Sequence, residues 1–151
     1  MQFPDLLNES PEPSVNFHFE DVEFDLPKAD AIETWLMSVS KFEGKVHGEV
    51  NIIFCSDEHL RQINVSYLDH DYYTDIITFP YDENSVYGDI FISSDRVKEN
   101  AQNAMVSFEA ELCRVMAHGI LHLAGYDDQT PELKKAMSAK EDEHLKRCPI
   151  F

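Results

Sequence analysis

Ile76-Ile77-Thr78-Phe79 and Gly88-Asp89-Ile90-Phe91-Ile92 decide the fold; the two β-rich runs flank the polar stretch Asp82-Glu83-Asn84-Ser85. Branched and aromatic residues suit a pleated, half-buried surface, so the pair predicts a hairpin. Downstream the pattern becomes helical. Ser94 or Asp95 opens one helix, and a second starts near Ser107, where Ala110 stands in place of the glutamate of a full capping box. That second helix runs to Ala124 and stops at Gly125, the residue type favoured just past a helix end. Thr130-Pro131 then supplies a cap and first turn for a last helix with Leu133, Met137 and Leu145 on its inner face. Upstream, apolar residues mostly alternate from Val15 to Leu26, which predicts a strand. Pro27 suits a first helical position before Ile32, Trp35, Leu36, Val39 and Phe42, and Gly44 closes that segment. Val50, Ile52 and Phe54 alternate as a further strand, and Ser56 caps a helix with Leu60, Ile63, Asn64 and Tyr67 on one face. Strands early and in the middle, with helices dominating the end, predict an α+β domain of layered architecture.

A chain of 151 residues predicts one domain, 1–151, with residues 1–13 (Pro4, Pro11, Pro13) as an irregular lead-in. With 43% hydrophobic and 27% charged residues, composition excludes wholesale disorder. No apolar run approaches the roughly 20 residues that cross a bilayer. The start, interrupted by Pro4 and Asp5 and lacking a basic residue before Lys28, does not read as a signal peptide. Cys55, Cys113 and Cys148 form no C-x-x-C pair, which argues against a zinc ribbon or disulfide framework. A soluble, cytoplasmic protein is the expectation, with no membrane role. The 29 acidic against 12 basic residues give a net charge of −17, which repels a bare polyanion. The largest basic group, Lys134, Lys135, Lys140, Lys146 and Arg147, reads as a solvated helix face. A nucleic-acid function must therefore rest on a site rather than on bulk charge.

The chemistry concentrates in His118-Gly119-Ile120-Leu121-His122-Leu123-Ala124-Gly125-Tyr126-Asp127-Asp128. Histidines four apart lie about 40° apart around a helix, one turn above the other, and two imidazoles so placed can close on one metal ion. Gly125 lets the chain turn back, so Asp127 or Asp128 can complete a set of three ligands, leaving the open position typical of catalytic rather than structural zinc. Without metal, the pair reads as partly buried helix residues. A protease of the H-E-x-x-H type is disfavoured, because Gly119 occupies the position of its general base. Glu111, seven residues before His118, projects to nearly the same side. It reads either as a residue that orients a histidine or carries a proton, or as an exposed partner of Arg114.

The run His118 to Asp128 resembles the signature H-G-x-L-H-L-x-G-Y-D-H of the YbeY-type endoribonucleases, bacterial rRNA maturation factors, and departs from it only at the last position. Ile63-Asn64 through Tyr67, Thr74 to Pro80 and Gly88 to Ser93 resemble the family's L-N-x-x-Y-R, T-D-V-L-S-F-P and G-D-I-x-I-S segments in the same order, and Glu111 falls where the family has a glutamate. The resemblance covers roughly residues 50–145. It implies an α+β fold with a small mixed sheet flanked by helices, and one divalent metal ion per chain, with zinc first. It also implies single-strand-specific endoribonuclease activity in 16S rRNA 3′-end maturation and ribosome quality control. The implied partners are single-stranded rRNA, the small ribosomal subunit and assembly factors, with no DNA. By position the metal ligands are His118, His122 and Asp128, and Glu111 is the supporting catalytic residue.

Two departures carry physical weight. Asp128 stands where the family has a third histidine, so the ligand set is one charge less positive and its hard oxygen makes manganese or iron more favourable than in a three-histidine site. Asp127 is the alternative ligand. Leu68 stands where the family has an arginine suited to clamp phosphate, and Arg61, one helical face earlier, reads either as its replacement or as a surface residue. Asp75 and Asp89 are further cleft candidates, Asp89 reading first as an aspartate that bonds backbone amides. The rival functions are a metal-dependent hydrolase of another phosphoester and a non-catalytic ribosome-assembly module with a structural metal.

Overall fold

The computed structural model describes residues 12–150, so the expected lead-in lies outside the described residues apart from Glu12 and Pro13. The strands are β1 (Ser14–Phe19), β2 (Val46–Cys55), β3 (Ile76–Pro80) and β4 (Ser85–Ser93). The helices are α1 (Ala29–Phe42), α2 (Asp57–Leu68), α3 (Ser94–Ala104), α4 (Phe108–Leu123) and α5 (Pro131–Leu145). The sheet order is β1-β2-β4-β3, with β1/β2 and β2/β4 parallel and β3/β4 antiparallel. Parallel neighbours need a crossover, and α1 supplies the one between β1 and β2. This is the α+β domain with a small mixed sheet.

The two faces of the sheet bury different partners. Val50, Ile52, Phe54, Ile90 and Ile92 face the main core, together with Trp35, Leu36 and Val39 of α1 and most of α4. The opposite face carries Cys55, Ile77, Phe79 and Phe91 against Leu60 and Ile63 of α2. Helix α4 buries Leu112, Cys113, Val115, Met116, Ala117, Ile120 and Leu121 on several sides, as a helix sandwiched between layers must. Gly119 sets how closely it lies on the sheet. A Cβ there would sit 2.9 Å from Ile90 Cδ1 and 3.0 Å from Ile76 Cδ1, so any side chain at this position crowds the sheet.

The hairpin forms as read, but β4 starts at Ser85, because Asp82 accepts the Asn84 amide at 3.0 Å and the Ser85 hydroxyl at 2.8 Å and closes the turn early. Strand β1 ends at Phe19 rather than at Leu26. The apolar alternation beyond it serves an aromatic cluster: the Phe24 ring lies 5.0 Å from Phe19, 5.0 Å from Phe54 and 5.4 Å from Phe108. Pro27 precedes α1 instead of starting it, since Lys28 takes a left-handed conformation (φ 54°) and the helix begins at Ala29. Helix α3 opens at Ser94 with Ser93 as its cap, and Ser56, Ser107 and Thr130 cap α2, α4 and α5. Tyr67 is 74% exposed and Leu133 39%, so neither joins an inner face. Met137 and Leu145 do pack inward on α5 as read, and the buried Glu141 and His144 share that face. Lys140 and Arg147 are not a solvated face either: Lys140 bonds Glu43 at 2.8 Å, and Arg147 lies 3.9 Å over the Phe42 ring.

Candidate metal centre

Ser107 accepts the Ala110 amide at 3.1 Å and starts α4, which carries His118 and His122 on its one partly open stripe. Their Nε2 atoms lie 2.9 Å apart, with the rings at 79° to one another. The helix ends in a double backbone bond: Gly125 (φ 101°) donates to the His122 carbonyl at 3.0 Å and Tyr126 to that of Leu121 at 3.1 Å. A Cβ at Gly125 would resist this left-handed turn. Tyr126 then anchors the returning chain by donating its hydroxyl to Glu43 at 2.7 Å. Asp127 turns its carboxylate onto the Asp128 amide at 2.7 Å, whereas the Asp128 carboxylate reaches 3.4 Å from His118 Nε2 and 3.5 Å from His122 Nε2.

One donor atom from each of His118, His122 and Asp128 lies within 4.8 Å of the others. Around a tetrahedral zinc with bonds near 2.0–2.1 Å, ligand atoms are about 3.3 Å apart; each histidine–aspartate separation, made through a different Asp128 oxygen, is near that spacing, and the histidine pair is slightly closed. The cluster can bind a metal. Asp127 lies outside this group of three.

His118 is held for the task from behind. Its Nδ1 meets Glu141 Oε2 at 2.6 Å, which places the ring proton on Nδ1 and leaves the Nε2 lone pair facing His122 and Asp128. Glu141 is buried and accepts a second bond from Arg114 Nη1 at 2.9 Å, while Arg114 also holds Asp142. Burial alone would lower the His118 pKa, but the bonded Glu141 carboxylate, with Asp128 and Asp75 nearby, raises it. His122 is lowered, first by burial and then by its neighbour His118.

Glu111 is thus not the residue that holds His118, nor is it bonded to Arg114, whose guanidinium goes to Glu141 and Asp142. It stands half-buried beside them, its carboxyl pushed above the ordinary range by burial, against the pull of Arg114. Asp75 is raised the same way, burial outweighing the charge of His118. Sequence reasoning missed Glu141. The one available signal was its spacing from Met137 and His144, which puts all three on one helix face.

Asp89 bonds side chains rather than backbone amides: it accepts Asn51 Nδ2 at 3.1 Å and the Tyr81 hydroxyl, on the sheet face away from α4. Arg61 is a surface residue, gripped by Glu58 and Asp71 at 2.6 Å each, and Leu68 ends α2 with 40% of its surface exposed. Arg96, unmarked by any motif, pairs with Asp57 at 2.6 Å and is felt electrostatically at Asp75. Beside His122 a depression of about 450 Å³ is lined by Pro80, Tyr81, Asp82, Glu83 and Gly125.

Comparison with known proteins agrees over nearly the whole described chain. A family model described as Endoribonuclease YbeY matches residues 15–149. The Endoribonuclease YbeY of Cytophaga hutchinsonii is 51% identical over 136 residues, covering 89% of this chain and 95% of its own. That of Flavobacterium johnsoniae is 50% identical over 132 residues, covering 87% and 94%. The solution structure of TM1509 from Thermotoga maritima superposes with a TM-score of 0.63 at 32% identity, covering 89% of this chain and 88% of that one. Among the described residues, no helix is long and apolar enough to cross a membrane.

Proposed function

The chain belongs to the YbeY endoribonuclease family, and from that premise we propose that it is a metal-dependent, single-strand-specific endoribonuclease that matures the 3′ end of 16S rRNA in the cytoplasm. The observation that carries the reading is the convergence of His118, His122 and Asp128, with Glu141 fixing the ring of His118. These three residues would hold one divalent ion, zinc first. Such an ion polarises a phosphoryl oxygen and brings the pKa of water toward neutrality.

The chain's own groups do the rest. Glu141 keeps the His118 proton on Nδ1, so that Nε2 stays available as a donor. Asp128 supplies a negative charge where a third imidazole would supply none, which softens the electrophilicity of the set. Glu111 is the residue proposed to carry a proton, since it stands half-buried among the charges of Arg114, Asp75 and Glu141 and burial raises its carboxyl above the ordinary value. With a net charge of −17 and the carboxylates of Asp82 and Glu83 lining the depression beside His122, the protein binds naked RNA weakly. The small ribosomal subunit and assembly factors deliver the strand.

The test is cleavage of a labelled RNA spanning the 16S 3′ end, single-stranded and annealed, by protein loaded with zinc, manganese or iron and by chelated protein. Metal-dependent cutting of the single strand alone is expected. A loaded protein that cuts only a small phosphodiester, or nothing, contradicts the reading.

A further inference from the structure

On the sheet face away from the histidines lies a cavity of about 480 Å³ between α2 and the β3–β4 hairpin. Its walls are aromatic. Tyr67 stands 74% exposed with its ring edge-on to Phe79 at 6.0 Å, and Phe79 meets Phe91 at 5.8 Å and 90°. Tyr81, 56% exposed, is held from both sides: its ring packs edge-on against Tyr87 at 5.5 Å and its hydroxyl donates to Asp89. His59 completes the lining. Core packing explains Phe79 and Phe91, but not two exposed tyrosines kept at the rim.

Three observations select the occupant. Among the described residues, no lysine or arginine lines the cavity and one aspartate does, so it is not built for a phosphate. Flat apolar walls with a volume of several hundred Å³ suit an uncharged ring system. Tyr81 also lines the depression beside His122, so one residue at the end of β3 borders both the cavity and the side of the metal centre. We propose that this cavity, walled by Tyr67, Phe79 and Tyr81, is a stacking subsite for an unpaired nucleobase of the single-stranded RNA that lies across the metal centre. The inference deepens the endoribonuclease reading and rests on it.

Stacking is indifferent to the protein's negative charge, because every base presents a π-face. The subsite thereby supplies grip at the end of α2 that carries Leu68 in place of a phosphate-clamping arginine. It also selects single strands, since a base must leave its stack and its partner to enter. Asp89 acts as a positioning residue: Asn51 holds one of its oxygens, and the other fixes the Tyr81 hydroxyl.

The test is fluorescence anisotropy of an end-labelled single-stranded octaribonucleotide at low salt. The full chain is used, zinc-loaded and zinc-free, as wild type, the Tyr67→Ala/Tyr81→Ala double variant and Phe42→Ala. Both tyrosines are exposed, so truncation opens no core, and the melting temperature and zinc content are read in parallel. The double variant is expected to bind at least about tenfold more weakly in both forms with its zinc content unchanged, while Phe42→Ala, an exposed aromatic on α1, binds as wild type. Affinity unchanged in the double variant overturns the subsite and leaves the cavity to a protein segment. Absence of binding by wild type at low salt overturns it too. A wild type that binds through these tyrosines yet cuts no RNA with any metal leaves the subsite standing and sinks the nuclease reading.

Discussion

Two carboxylates near α5, Glu141 buried and Glu43 largely so, each grip a histidine, and they do different work. Glu43 takes the His144 Nε2 at 2.7 Å, Lys140 at 2.8 Å and the Tyr126 hydroxyl at 2.7 Å. Its partners come from α5 and from the turn after α4, so it is a clamp between elements. Glu141 takes His118 Nδ1 and Arg114, and the far nitrogen of that histidine faces His122 and Asp128, with which it could hold a metal ion. The same ionic chemistry closes one region and orients the other. What separates the two is whether the gripped histidine leaves a nitrogen aimed at a common point.

The largest expected effect is at the clamp. Three donors outweigh burial and hold the Glu43 carboxyl down at about 2, against an ordinary 4.5. A depressed carboxyl stabilises the fold fully above its unfolded value, so this contribution is complete above pH 4.5 and is lost as pH falls toward 2. Glu43→Gln should cost about 3 kcal/mol at neutral pH and flatten the acid limb of the stability curve, read by urea unfolding between pH 7 and 3. Metal content should be unchanged. Loss of metal in this variant would erase the distinction between the two regions.

Glu141→Gln should do the reverse. Metal affinity, measured by competition with a chromophoric chelator, should fall by about 10–100-fold, the usual consequence of removing the partner of a ligating histidine. An affinity equal to wild type would make Glu141 a second clamp.

The smallest effect calibrates both. Gly119→Ala touches neither carboxylate but pushes a methyl to 2.9 Å from Ile90 Cδ1. It should cost about 1–2 kcal/mol in thermal unfolding, with a modest loss of metal affinity as α4 lifts from the sheet.

Much of this was legible in the sequence where the determinants are local. The caps at Ser56, Ser107 and Thr130, the stop at Gly125 and the hairpin around Asp82 each act over a few residues. The cluster of His118, His122 and Asp128 was legible because one helix and one turn build it. What escaped depends on distant partners. Phe24 alternates as a strand residue would, yet packs on Phe54 and Phe108. Glu141 sits among Lys140, Asp142 and Glu143, and only the packing of α5 on α4 separates it from those surface charges. The β2–β4 pairing joins strands separated by α2 and β3, and no local residue announces it.

The most direct measurement of the central claim is metal per chain by elemental analysis. It compares untagged wild type with His122→Ala, Asp128→Ala and Asp127→Ala, prepared without chelator. The predicted result is about one divalent ion in wild type and in Asp127→Ala, and loss in the other two. Metal retained in Asp128→Ala, or none in wild type after reconstitution with zinc, manganese or iron, would contradict the two-histidine, one-carboxylate centre.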